Sequence, residues 1–91
     1  MKLSKEKRDK ISEQILAALY TSNPQTLFTS YVAKEIARDE EFTKKILQEL
    51  KKKLLVSEIR KNPKGIEYAR RSRWTLSDAA YRAYKNKQTS F

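Results

Sequence analysis

The chain of 91 residues contains no cysteine and no histidine. Without cysteine there is neither a disulfide framework nor a thiolate metal site, and nothing ties the chain to an oxidising compartment. Without histidine as well, the usual nucleophile–base pairs and zinc ligand sets cannot be assembled. Asp, Glu and hydroxyl groups are all that remain for catalysis. No enzymatic activity, metal or cofactor is therefore expected. Long hydrophobic runs are missing too: nowhere do eighteen apolar residues stand together, and the start of the chain, "MKLSKEKRDKISEQ", lacks the apolar segment of a signal peptide. A soluble cytoplasmic protein with no membrane partner is expected. Turn punctuation is sparse and falls in two places, "SNP" at 22–24 and "NPKG" at 62–65.

What is present is a modest apolar content of 38%, nine aromatic residues and 35% charged residues. That is enough for one core and one domain spanning 1–91, since a chain of this size buries roughly 60–65% of its unfolded surface. The net charge is +10, and its placement says more than its size. From Lys44 to Arg73 there are eleven Lys or Arg against Glu49, Glu58 and Glu67, a surplus of eight, so the other 61 residues carry only the remaining two. A surface with no anionic partner more often intersperses its signs. The stretch "TKKILQELKKKLLV", 43–56, concentrates the problem, for it interleaves five lysines with four leucines and an isoleucine.

Periodicity gives the elements. Ile11, Ile15, Leu16, Leu19 and Tyr20 recur at helical spacing behind Ser4, a candidate N-cap, and predict a first helix over 4–22. "TLF" at 26–28 suits a short strand or single bridge. Thr29 or Ser30 is expected to cap a second helix over 30–38, with Val32, Ala33, Ile36 and Ala37 on one face. "RDEE" at 38–41 breaks the apolar pattern and puts acids at the start of a third helix over 40–54, where the macrodipole favours them. On a helical wheel Ile46, Leu47, Leu50 and Leu54 gather on one side with Thr43, and Glu41, Lys44, Lys45, Gln48 and Lys52 on the other. Residues 55–76 read as a hairpin turning at "NPKG". Pairing Lys61 with Ile66 would set Ile59 against Tyr68 on the inner side, with Trp74 and Leu76 inward and Arg71 and Arg73 outward. Ser77 and Asp78 can cap a last helix over 77–87. The fold class is mostly α with a small β-hairpin.

The order of helix, short strand, helix, helix, hairpin and helix resembles the winged helix-turn-helix domain over nearly the whole chain. "FTSYVAKEIARDEEFTKKILQELKKKLLV" looks like the helix-turn-helix running into the wing, and "RRSRWTLSDAAYRAY" like the last wing strand stepping into a closing helix, as in MarR-like and ArsR-like regulators. Leu54 departs from that pattern by standing where the family usually has the glycine that ends helix 3, and Ala80 stands where the closing helix usually has glycine.

The resemblance implies that helix 3 is a recognition helix presenting Thr43, Lys44, Lys45, Gln48 and Lys52 to a major groove. Gln48 would suit adenine, and the lysines phosphate. It further implies wing contacts from Lys61, Asn62, Lys64, Arg71 and Arg73 to backbone or minor groove, and a phosphate contact at Ser30 and Tyr31. Tyr81 and Tyr84, on an outer helix rich in alanine, suit an interface with a second copy. The expectation is a sequence-specific double-stranded DNA-binding protein, a small transcriptional regulator acting as a homodimer in the cytoplasm at the nucleoid, with no effector evident. An adaptor docking on an acidic protein, or an RNA- or ribosome-associated protein, would use the same charge. A membrane-surface helix would need its leucines free, and they are required for the core.

Overall fold

The computed structural model describes residues 4–60 and 72–89. Its elements run α1 (Lys5–Ser22), β1 (Leu27–Phe28), α2 (Thr29–Glu35), α3 (Glu40–Lys52), β2 (Val56–Ile59), β3 (Arg73–Leu76) and α4 (Asp78–Thr89). The three strands form one antiparallel sheet in the order β1-β3-β2.

Polar side chains start three of the helices. Ser4 accepts from the Lys7 amide at 3.3 Å, Asp39 from Phe42 at 2.7 Å, and Ser77 from Ala80 at 3.1 Å, each satisfying an amide that the helix itself leaves open. The start of α2 differs from expectation. Phe28 occupies its N-cap position without a side-chain hydrogen bond, and Thr29 lies inside the helix. The reason is packing: Thr29 is buried, and its hydroxyl accepts from the Trp74 indole N–H at 2.7 Å. A fully buried tryptophan needs such an acceptor.

Helices α2 and α3 stop earlier than the apolar pattern suggested, and for the same reason. Ala37 has φ 55° and Leu54 φ 62°. At each site the reversed residue and its successor donate back into the last turn, Ala37 to Lys34 (3.2 Å) and Arg38 to Ala33 (3.0 Å), then Leu54 to Lys51 and Leu55 to Leu50 (both 3.0 Å). This is the hydrogen-bond pattern of a Schellman stop. The left-handed conformation costs a residue with a Cβ roughly 1–2 kcal/mol, and the recovered carbonyl partners offset it. Leu54 fills the place expected of glycine and points into solvent, 76% exposed.

One buried cluster draws on every element: Ile11, Ile15 and Leu19 from α1, Leu27, Val32 and Ile36, then Ile46, Leu47 and Leu50 from α3, with Val56, Trp74, Leu76 and Ala80. The i, i+4, i+8 spacing on α1 and the i, i+1, i+4 spacing on α3 put those side chains on single faces. Each such burial is worth about 1.5–3 kcal/mol.

The hairpin register corrects the sequence-based one. Val56 pairs with Leu76, Glu58 with Trp74 and Ile59 with Arg73, so Ile59 faces Arg73 instead of Tyr68. The "NPKG" turn, Ile66 and Tyr68 lie outside the described residues. Because side chains alternate along a strand, this pairing turns Trp74 and Leu76 inward as expected but puts Ile59 on the opposite face. Glu58 takes the inward position beside Trp74.

Candidate nucleic-acid interface

The distribution of cations is set by how α3 is held. Thr43, Ile46, Leu47 and Leu50 are buried, at 0–3% exposure. The rotation fixed by those four leaves Lys44, Lys45 and Lys52 exposed and Gln48 half-buried on the other side. Thr43 therefore corrects an expectation: it does not reach the outward face. Its hydroxyl donates to the Asp39 carbonyl at 2.8 Å inside the first turn, an i−4 bond available to threonine on a helix. Acids Glu40 and Glu41 occupy the first turn and Lys51 and Lys52 the last, so the charges complement the helix dipole as well as segregating along the axis.

Two ion pairs sort the remaining charges near α3. Arg8 on α1 pairs with Glu49, withdrawing the one acid in the body of the helix. Lys51 pairs with Glu58 on β2 at 2.9 Å, and the Ser72 hydroxyl donates to the same carboxylate. Burial pushes the Glu58 carboxyl up, but the hydrogen bonds from Ser72 and Lys51, with the Lys51 and Arg60 charges, outweigh it and leave the group below the usual carboxylate range. Lys44, Lys45 and Lys52 make no ion pair among the described residues. They stand as an exposed cationic row with one glutamine between them.

Other sequence-based candidates fall elsewhere. Lys61, Asn62, Lys64 and Arg71 lie outside the described residues. Arg73 pairs with Phe28 and Ile59 in mid-sheet. Its guanidinium lies 4.3 Å over the Phe28 ring and 3.5 Å from the Thr26 hydroxyl, so it belongs to the folded sheet and not to a projecting tip. Ser30 is half-buried, and the exposed Tyr31 lines an open cavity of about 410 Å³ between α1 and α2, together with Gln14, Thr21 and Glu35. Tyr81 and Tyr84 both pack on Tyr20, with ring centroids at 5.5 and 5.4 Å. Burial, then the nearby Glu13 charge, raises the Tyr84 phenol above its ordinary value.

Sequence reasoning missed the Lys51–Glu58–Ser72 connection. The expected alternation had put Ile59 inward and left Glu58 at an outward position, where an acid gives no signal. Lys53 was also missed: it stands exposed at the C-cap of α3, adjoining the cationic row in sequence.

No family model matches the sequence, and no curated protein shows significant similarity to it. Solved structures do resemble the fold. The S. aureus MepR–DNA complex aligns with a TM-score of 0.74 at 19% identity, covering 92% of this chain and 66% of that one. The PcaV transcriptional regulator from Streptomyces coelicolor aligns at 0.70 and 21% identity, covering 89% and 55%. Lactococcus lactis ZitR, as its E41A mutant, aligns at 0.66 and 19% identity, covering 98% and 53%. The chain thus spans between half and two thirds of the length of these proteins. With its three-helix body, β1-β3-β2 sheet and closing helix, the chain has the winged helix-turn-helix fold in the form those regulators share.

Proposed function

We propose that this chain is a sequence-specific double-stranded DNA-binding protein, a small transcriptional regulator that inserts α3 into the major groove. The observation carrying this reading is the exposed row of Lys44, Lys45 and Lys52, without an ion pair among the described residues, on a helix whose opposite side is buried in the core. Cations left unneutralised within the fold are available to displace counterions from phosphate. Gln48, set among them, is the residue that reads a base, adenine suiting its paired donor and acceptor. The hairpin cations Lys61, Lys64 and Arg71, with Asn62, add backbone or minor-groove contacts. Two further facts support the reading: the similar MepR structure is a complex with DNA and PcaV is a transcriptional regulator.

Two copies bind as a homodimer, with their recognition helices about one helical turn, roughly 34 Å, apart. The Tyr20–Tyr81–Tyr84 stack between α1 and α4 is the surface on which they meet. Such a protein works in the cytoplasm at the nucleoid. Among the described residues no helix is long and apolar enough to cross a membrane.

The test is a binding titration on duplex DNA across salt concentrations. With about five phosphates neutralised per subunit, the log–log slope is expected near −4.5 per subunit. A flat salt response rejects the reading. Selection from random duplex DNA then tests specificity and stoichiometry together, since a dimer enriches a palindrome and a protein without base contacts enriches nothing.

A further inference from the structure

At the inward register position opposite Trp74, where alternation calls for an apolar side chain, β2 carries Glu58. Its side chain is 6% exposed. A carboxylate so placed is costly unless several donors satisfy it, and this one is met from two directions. Lys51 reaches it from the last turn of α3, and Ser72 from the residue just before β3. Arg60, two residues further along the chain, adds a favourable charge. A leucine would fill the site with less desolvation, but it would not select one orientation of the strands against the helix, which a directional, doubly bonded carboxylate does.

We propose that Glu58 is a positioning residue which fixes the base of the β2–β3 hairpin to the C-terminal turn of α3, so that the helix and the hairpin engage DNA as one rigid unit. The proposal rests on the DNA-binding reading and deepens it. The segment joining the strands carries Arg60, Lys61, Lys64, Arg70 and Arg71, and the strand ends that flank it, at Ile59 and Arg73, lie beside this joint. Lys51 serves this joint instead of phosphate. The acid thus acts on affinity through geometry and against its own charge.

That opposition gives the test its sign. Removing an acid from a DNA-binding protein, and freeing the cation it held, ordinarily tightens binding. Glu49→Gln does this at the Arg8 pair and is the control, expected to bind mixed-sequence duplex DNA about two- to threefold more tightly than wild type. Glu58→Ala removes an acid and frees a cation in the same way, yet is expected to bind about fivefold more weakly, with a salt slope shallower by about 1–2 units because the hairpin contacts are lost. Glu58→Gln, whose amide oxygen still accepts from Ser72, should fall between. All four proteins are titrated well below their melting temperatures, where a loss of stability alone leaves the slope unchanged. If Glu58→Ala does not fold, Glu58→Gln binding more weakly than Glu49→Gln supports the proposal. Glu58 variants that bind as tightly as Glu49→Gln, with an unchanged slope, overturn it. A wild type showing no salt-dependent binding overturns the DNA-binding reading itself, and the proposal falls with it.

Discussion

Around α3, residues adjacent in sequence meet opposite fates. Thr43, Ile46, Leu47 and Leu50 lose nearly all their solvent exposure, while Lys44, Lys45 and Lys52, interleaved with them, keep theirs. The buried side is specified redundantly, because Ile46, Leu47 and Leu50 contribute to a core drawn from every element. The exposed side is defined by subtraction: Glu49 and Lys51, which belong to the same helix, are engaged by Arg8 and Glu58, and what remains is a row of cations. A helix can therefore be amphipathic for two unrelated reasons, one energetic and one functional, and only the first is enforced by folding.

Substitutions that separate the two sides sharpen this contrast. The largest effect is expected from Leu47→Ala, which opens a cavity at a fully buried site. It should cost about 3 kcal/mol or more, out of roughly 5–14 kcal/mol for a domain this size. A drop in melting temperature with little change in affinity, measured where the protein is still folded, is the expected result. On the other side, Lys44→Glu with Lys45→Glu should weaken duplex binding by about 100-fold while leaving the melting temperature within a few degrees of wild type. A double variant that melts early would mean that those lysines support the fold.

Thr43→Val probes the boundary between the two sides. Loss of the hydroxyl's bond to Asp39 should cost about 1 kcal/mol, and because Thr43 does not reach the outward face, affinity should stay within about twofold of wild type. A tenfold loss at unchanged stability would return Thr43 to the groove.

The Glu58 joint adds a pH dependence. Its folded-state carboxyl is held below the usual carboxylate range by its Ser72 and Lys51 partners, so its contribution to stability is complete above the ordinary glutamate value and is lost as pH falls through the lower folded one. Thermal melts from pH 7 to pH 3 should show wild type losing more stability than Glu58→Gln; parallel curves would remove the ionised carboxylate from the joint. The smallest effect is expected at Leu54. Replacing it with glycine relieves the left-handed strain and should raise stability by about 0.5–1 kcal/mol, whereas Leu54→Val, β-branched at φ 62°, should lower it.

These contrasts also mark what could be read in advance. The order of the helices, the Ser4 and Ser77 caps, the inward Trp74 and Leu76 and the burial of Ile46, Leu47 and Leu50 on α3 follow from local chemistry and a periodicity that neighbouring residues repeat, whereas Leu54, read onto the same face, stands exposed beyond the helix end. The hairpin register did not follow. It depends on how strands separated by residues 60–72 come together, and a change in pairing moves Ile59 to the other face without altering any local signal. Thr29 looked like a cap because threonine usually is one; only the arrival of Trp74 from a distant part of the chain makes it an interior acceptor. The early ends of α2 and α3 were hidden because the left-handed conformation costs a residue with a Cβ only about 1–2 kcal/mol, which a pair of backbone hydrogen bonds offsets at Ala37 and Leu54. Within the candidate site, lysine and glutamine positions were legible from the wheel, but which charges would be cancelled within the fold was not.

Trp74 has a practical consequence of its own. It is the sole indole in the chain, fully enclosed and hydrogen-bonded to Thr29, so intrinsic fluorescence reports on the integrity of the interior without any attached dye. Nothing docking from outside can touch that chromophore directly. Its emission should shift to the red when the protein denatures and stay nearly constant when DNA is added, giving an optical channel that distinguishes an unfolded variant from one that has merely lost its grip.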